Sequence, residues 1–458
     1  MIYRGYSHLT SERWRVSIVM AFVHPTSCEC SKSELDLFNV PATQTAIDFS
    51  QWVEHKPLTS LTDSAPVEFV ITGSGEEYVD LSETYIQVTA QITKSDGGDL
   101  ITKNEDETDG EDIGIGPVNN WLHSLFSQVD MSLNGRLITA STNTYAYRSY
   151  LENLLTYGPA AKKSHLTSSL WYKDTAGHMD SVNAENEGFT QRRKRIQNSR
   201  FVTMIGRPHL DLCFQDRLML NGVDMKMRFV RSKDAFNLMG TGKVVIKDMS
   251  LFVRKVKVHP SVQLGHIKAL DRATAKYPVK RVETKVFSIP KNNMSANQEN
   301  LFLGQLPNRI VIGLVENSAF SGSRNQSPFH FKHFDTDFLA LYLDGMQVPS
   351  KPLQPDFEKE NHMRSYVSLF SGTGLMCRDQ GNDISRDEYG NGYTLFAFDL
   401  TPDLSDAGHF QLVKHGNLRL ELHFKTQLPV TVNAIVYAEF ENVIEIDKAR
   451  NVLFDYSA

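Results

Sequence analysis

The densest cluster of potentially reactive side chains is a run of four cations, Arg192, Arg193, Lys194 and Arg195, with Arg200 close behind. Charge packed this tightly can displace counterions from a phosphate chain or serve as a nuclear-import signal. The same residues read equally well as a solvated loop or short helix following the polar stretch Thr175 to Asn186. Cys28-Glu29-Cys30 offers two soft ligands, but no second Cys or His pair follows at zinc spacing. Glu105, Asp106, Glu107, Asp109, Glu111 and Asp112 crowd the stretch from Ser95 to Gly116 without the ligand order of an EF-hand, so a solvated loop is expected there rather than a calcium site. Glu439 and Glu441 flank Phe440 on an evident strand and are expected to face solvent. As a glycosidase pair they would need a spatial separation that sequence spacing does not measure. Gly240-Thr241-Gly242-Lys243 is too short to wrap a phosphate and reads as a turn before a strand from Val244. The fifteen histidines are scattered, and Gly-x-Ser-x-Gly, His-Glu-x-x-His and Walker patterns are absent. The expectation is a protein that is not an enzyme, with no catalytic, cofactor-binding or metal residues and one candidate basic patch at Arg192 to Arg195.

The elements that would carry these residues show an internal repeat. Val129, Met131 and Leu133 alternate with polar residues and run into Asn134-Gly135; Leu339, Leu341 and Leu343 run into Asp344-Gly345. Both predict a strand entering a type I′ hairpin, since Asn-Gly and Asp-Gly readily adopt positive φ. A helix follows each turn with apolar spacing i, i+3, i+4, i+7: Tyr147, Tyr150, Leu151 and Leu154, then Met363, Tyr366, Val367 and Phe370. Both helices carry Arg-Ser-Tyr, at Arg148 and Arg364, an offset of 364 − 148 = 216. The turns are offset by 345 − 135 = 210, leaving about six extra residues in the second copy. A strand pair around Gly222 (Leu218 to Phe229) matches one around Gly416 (Gln411 to Phe424), offset 416 − 222 = 194. Spacings this long indicate a duplicated domain rather than a solenoid, whose units recur at roughly 20 to 50 residues.

Strands are predicted at Val67 to Thr72, Tyr78 to Ile92, Leu122 to Ile138, Val202 to Phe214, Met225 to Val230 and Val244 to Val258. In the second copy they fall at Val282 to Ile289, Leu301 to Val315, Phe338 to Val348, Tyr393 to Leu400, Leu418 to Lys425 and Val430 to Ile446. Pro260 to Thr274 reads as a helix with proline at its first position and Leu264, Ile267 and Leu270 on one side, making a domain boundary. Too few helices remain to cover a parallel sheet, which favours sandwiches or jelly rolls. The domains expected are an N-terminal arm over 1–38, a first β domain over 39–260 and a second over 261–458.

The 458 residues suffice for two or three cores, and a net charge of −6 supplies no global attraction for nucleic acid. Four cysteines make no disulfide framework and suggest a reduced intracellular protein. Val16 to Val23 is too short to span a bilayer, and Met20 within it is an alternative start.

Trp121 to Asp180, including Ala161-Lys162-Lys163-Ser164 and Trp171 to Gly177, together with Asp211 to Phe236, Leu301 to Gly313 and Gly390 to Leu404, resembles the hexon-type major capsid protein of Polinton/Maverick elements and adintoviruses. The resemblance runs from about Leu37 to Tyr456; the residues before Met20 and Cys28-Glu29-Cys30 fall outside its pattern. It implies an all-β fold with minor helices, two tandem eight-stranded jelly rolls forming a double jelly roll. It further implies a structural subunit that forms homotrimers of pseudo-hexameric outline and tiles an icosahedral virion shell. The expected partners are neighbouring capsomers and penton or minor capsid proteins, with assembly inside the host cell, in the nucleus, and neither sequence-specific nucleic acid nor a transmembrane segment. The loops from Ser95 to Gly116 and from Asn143 to Arg200 are expected at the capsomer surface or at trimer contacts. The arm before Leu37 and the tail after Asn451 are expected to order on contact with neighbours. Two other classes fit the composition: a glycan-binding or glycan-cleaving β-sandwich, and a host-domesticated intracellular scaffold.

Overall fold

The computed structural model describes residues 26–27, 30, 32–61, 65–103, 109–404 and 409–456. Cys28, Glu29, Met20, the Val16 to Val23 stretch and Glu105 to Glu107 lie outside the described residues. The chain divides into two units, Met1–Thr45 and Ala46–Ala458. In the first, Ser33–Leu35 forms a single 3-10 turn.

The second unit is built from antiparallel strands. The first ten are β1 (Ile47–His55), β2 (Val67–Ile71), β3 (Glu77–Thr93), β4 (Gly116–Pro117), β5 (Phe126–Leu133), β6 (Arg136–Leu137), β7 (Val202–Gly206), β8 (Met225–Arg231), β9 (Leu238–Met239) and β10 (Lys243–Val258). One sheet runs β1-β10-β3-β7, its facing sheet β2-β8-β5-β6, and β4 pairs with β9. In β3, Ile86, Val88, Ala90 and Ile92 are buried and alternate with partly exposed neighbours, the period-2 pattern of a strand with one face in a core. Val67, Phe69 and Ile71 of β2 and Met225, Met227 and Phe229 of β8 bury the opposing face. A register shift between Ile246 and Asp248 in β10 moves the buried phase by one residue, so Met249 rather than Asp248 faces inward.

The remaining strands are β11 (Ala275–Ile289), β12 (Ser295–Gln305), β13 (Arg309–Glu316), β14 (Thr336–Leu343), β15 (Met346–Leu353), β16 (Leu395–Asp399), β17 (His415–Phe424), β18 (Val432–Ile446) and β19 (Val452–Phe454). They form the sheets β11-β18-β13-β16, with β19 on β18, and β12-β17-β14-β15. The strand orders of the two halves correspond one to one. The fold is a double jelly roll, two eight-stranded sandwiches in tandem, each holding its own core.

Both hairpins form as the sequence predicts. Asn134 and Gly135 have φ of 48° and 78°, Asp344 and Gly345 of 47° and 85°. Each turn is tied to the neighbouring strand in the same way. Asn134 N–H donates to the Asp224 carbonyl and its side-chain oxygen accepts from Asp224 N–H, both at 2.8 Å; Asp344 repeats this with Asn417 at 3.0 and 2.8 Å. The true offset of this strand is therefore 417 − 224 = 193, one residue from the value obtained by matching Gly222 to Gly416. Gly222 lies in a turn before β8, whereas Gly416 lies inside β17.

Other expectations are corrected. Leu122 to Ile138 begins with a helical turn, Trp121–Ser124, and Val202 to Phe214 ends in a 3-10 turn, Asp211–Phe214. Leu301 to Val315 is two strands, and the amphiphilic β1 is an addition. The helix Pro260–Leu270 has proline at its first position, with Leu270 buried but Leu264 and Ile267 exposed. Much of Asn143 to Arg200 is interior rather than surface loop: Tyr147, Tyr150, Leu151, Leu154 and Trp171 are buried in a third core between the sandwiches.

Candidate functional site

The helix Tyr145–Thr156 is where the two sandwiches meet. Its apolar residues share one core with Val311, Val315, Ala397 and Ile435, buried on the outer face of β13, β16 and β18. This explains why β13 and β18 read as nearly continuous apolar runs: both faces of that sheet are covered. Tyr150 stacks on Phe329 with ring centroids 4.1 Å apart and planes 2° from parallel, and Tyr147 stacks on Phe320 at 5.5 Å.

Polar groups lock the same seam. Arg148 pairs with Glu152 at 2.9 Å and with Asp211 at 2.7 Å, and Asp211 also accepts from the β11 Val282 N–H at 3.2 Å. His209 Nδ1 bonds the second oxygen of Glu152, and Tyr437 of β18 reaches Glu152 at 3.4 Å. Burial pushes the Glu152 carboxyl up, but Arg148 and His209 outweigh it and hold it down to about 2. Burial raises Asp211 despite Arg148. Further crossings are Tyr393 Oη donating to the Asp174 carbonyl at 2.6 Å, Lys173 to Glu388 at 2.8 Å, and Arg324 to the carbonyls of Gly240 and Gly242 at 2.9 and 3.0 Å. Lys162, buried among the carbonyls of Leu154 and Asn382, is pushed down to about 7 by burial.

The basic run is split by its helix, Glu187–Arg195. Arg192 is buried, paired with buried Asp174 at 2.6 Å and donating to the carbonyls of Pro117 and Tyr172. Arg193 is half-buried and donates to the Ile113 carbonyl, while Lys194 and Arg195 are exposed. The four cations therefore share no single surface. Glu439 and Glu441 are half-buried rather than solvent-facing: Glu439 pairs with Arg309 at 3.2 Å and Glu441 accepts from Gln411 N–H at 2.7 Å. Gly240 begins the turn before β10, as expected. Cys213 is buried and burial pushes its thiol up to about 12, so it is protonated and unreactive at neutral pH. Among the described residues no group of three or more His, Cys, Asp and Glu could hold a metal ion, and no helix is long and apolar enough to cross a membrane.

The Arg148 network was not legible as a site, since bonded members lie up to 285 residues apart along the chain. The repeated Arg-Ser-Tyr marked its location without revealing its role.

What the geometry offers is two like sandwiches joined through one buried seam. No family model matches the sequence. An uncharacterized protein of Caenorhabditis elegans, F54H12.2, is 27% identical over 431 residues, covering 91% of this chain and 99% of that one. Among solved structures, a chain of the Sputnik virophage superposes with a TM-score of 0.63 at 11% identity, covering 96% of this chain and 94% of that one. The major capsid protein of mavirus gives 0.52 at 11% identity, covering 96% of both chains, and that of Faustovirus 0.53 at 9%, covering 90% and 92%. The chain thus has the fold of viral double jelly-roll major capsid proteins.

Proposed function

We propose that this chain is a hexon-like major capsid protein of the Polinton/Maverick and adintovirus kind, acting as a shell subunit rather than an enzyme. The observation that carries this reading is the seam: aromatic stacking and a buried ion network hold two like sandwiches in one fixed relation. Three such two-lobed subunits closed by a three-fold axis present six similar flanks, a near-hexagonal tile for an icosahedral virion. The likeness of fold to capsid proteins over nine-tenths of the chain supports it.

In this reading 39–260 and 261–458 are the two jelly rolls and 1–38 an arm. Neighbouring capsomers and penton or minor capsid proteins are the partners, and the nucleus is the place of assembly. The exposed remainder of the basic run, Lys194 and Arg195 with Arg200, is the part open to an import receptor or phosphate. Light scattering on the purified chain tests the trimer. A mass of three times 51.8 kDa is expected, and a stable monomer at micromolar concentration would contradict it.

The near full-length match in Caenorhabditis elegans supports a second reading, an animal-genome copy kept as an intracellular scaffold. Such a protein would keep the seam and form no particles.

A further inference from the structure

Beside the edge strand β7 lies a cavity of about 420 Å³, bordered by the 3-10 turn His165–Ser169 and touching the seam through Asn153 and His209. That volume is in the range of small-molecule sites, roughly 300 to 1,000 Å³. Its lining mixes polar groups, among them Tyr85, Asn153, His165 and Ser168, with an apolar patch. His123 and His209 are 3% and 4% exposed, with ring centroids 4.6 Å apart at 87°, and the Nε2 of each has no hydrogen-bond partner among the described residues. Leu166, Ile205 and Phe214 supply apolar surface around them.

The proton positions follow from the neighbours. Tyr145 Oη accepts from the His209 backbone N–H at 3.2 Å and is hydrogen-bonded to His123 Nδ1 at 3.0 Å. Burial and His209 keep His123 neutral, its pKa well below the usual value, and in the tautomer whose Nδ1 accepts from Tyr145 its single ring proton sits on Nε2 as a donor. Gly206 permits this close approach, since a Cβ there would lie 3.3 Å from His123 Nε2 and 2.8 Å from Leu122. Glu152 fixes the His209 ring through Nδ1 and leaves Nε2 turned from the seam. Arg207, its guanidinium 5.4 Å from the Phe214 ring centroid, bonds the Tyr85 hydroxyl, which donates to Glu83 at 2.8 Å, and no Asp or Glu itself lines the cavity.

We propose that this cavity binds a small organic carboxylate with an apolar or aromatic body, its charged end between His123 and Arg207 and its body against Leu166, Ile205 and Phe214. The site lies within the first sandwich and is independent of the shell reading, so either can fail alone. The test is titration of the full chain with benzoate and hexanoate, followed by calorimetry and saturation-transfer NMR. Binding with a Kd of about 1 mM or tighter is expected from the ligand size. Arg207→Gln should weaken it about tenfold through loss of a charge-assisted hydrogen bond, with Ile205→Glu at the partly exposed wall doing at least as much by like-charge repulsion. No binding, unchanged affinity in both variants, or displacement of benzoate by an equal concentration of inorganic phosphate would overturn the assignment.

Discussion

Two helices carry the same tripeptide and put it to different uses. In Tyr145–Thr156, Arg148, its side chain 12% exposed, sits between two carboxylates and Tyr150 is stacked on Phe329, so the motif joins the sandwiches. In Met363–Ser371, Arg364 is exposed and donates to the carbonyls of Lys351 and Pro352 at 2.5 and 2.6 Å, while Tyr366 is half-buried and donates to the Ile384 carbonyl at 2.9 Å. The buried residues of that second helix are Ser365 and Leu369, and Val367, expected in its apolar face, is exposed. The lengths of the preceding hairpins differ too: β6 has two residues and β15 eight. Both helices contribute to the core between the sandwiches, and of the two arginines only Arg148 is paired with carboxylates there.

The comparison breaks most sharply at the arginines. Arg148→Ala leaves Glu152 and Asp211 buried without their cation and should cost about 3–5 kcal/mol, whereas Arg364→Ala should cost about 0.5–1.5 kcal/mol for lost hydrogen bonds to carbonyls. Chemical denaturation of the two variants side by side measures the difference, and equal losses would show that the seam carries no special stability. Acid should act on the same residues. Glu152 has a folded-state pKa of about 2 against an ordinary 4.5, so its contribution is present above pH 4.5 and lost as pH falls toward 2. That contribution is at most about 3 kcal/mol, with the raised Asp211 acting against it. Glu152→Gln should flatten the loss of melting temperature in this window. The smallest effects should fall on what the halves share: Asp344→Ala removes a side-chain acceptor and strains a positive φ, costing about 1 kcal/mol, and Asn134→Ala should cost slightly more because Asn134 Nδ2 also donates to the Arg450 carbonyl at 2.7 Å.

What was legible in the sequence was what depends on local order. β3, β8 and the hairpins follow from alternation and turn chemistry. β1 did not, because Phe49 and Trp52 are exposed on an edge strand and Glu54 and His55 interrupt its period. The strand containing Gly416 was placed one residue out because glycines were matched, where the ladder pairs Leu133 with Met225 and Leu343 with Leu418. Arg192 read as part of a surface charge run because its partner Asp174 lies eighteen residues away. Long-range pairing decides whether a charge is buried, and spacing along the chain does not record it.

Negative-stain imaging of the purified chain at high concentration tests assembly most directly. Particles of three-fold symmetry with a near-hexagonal outline, each formed by three two-lobed subunits, are expected. Single two-lobed particles that never associate, at any concentration, would contradict it.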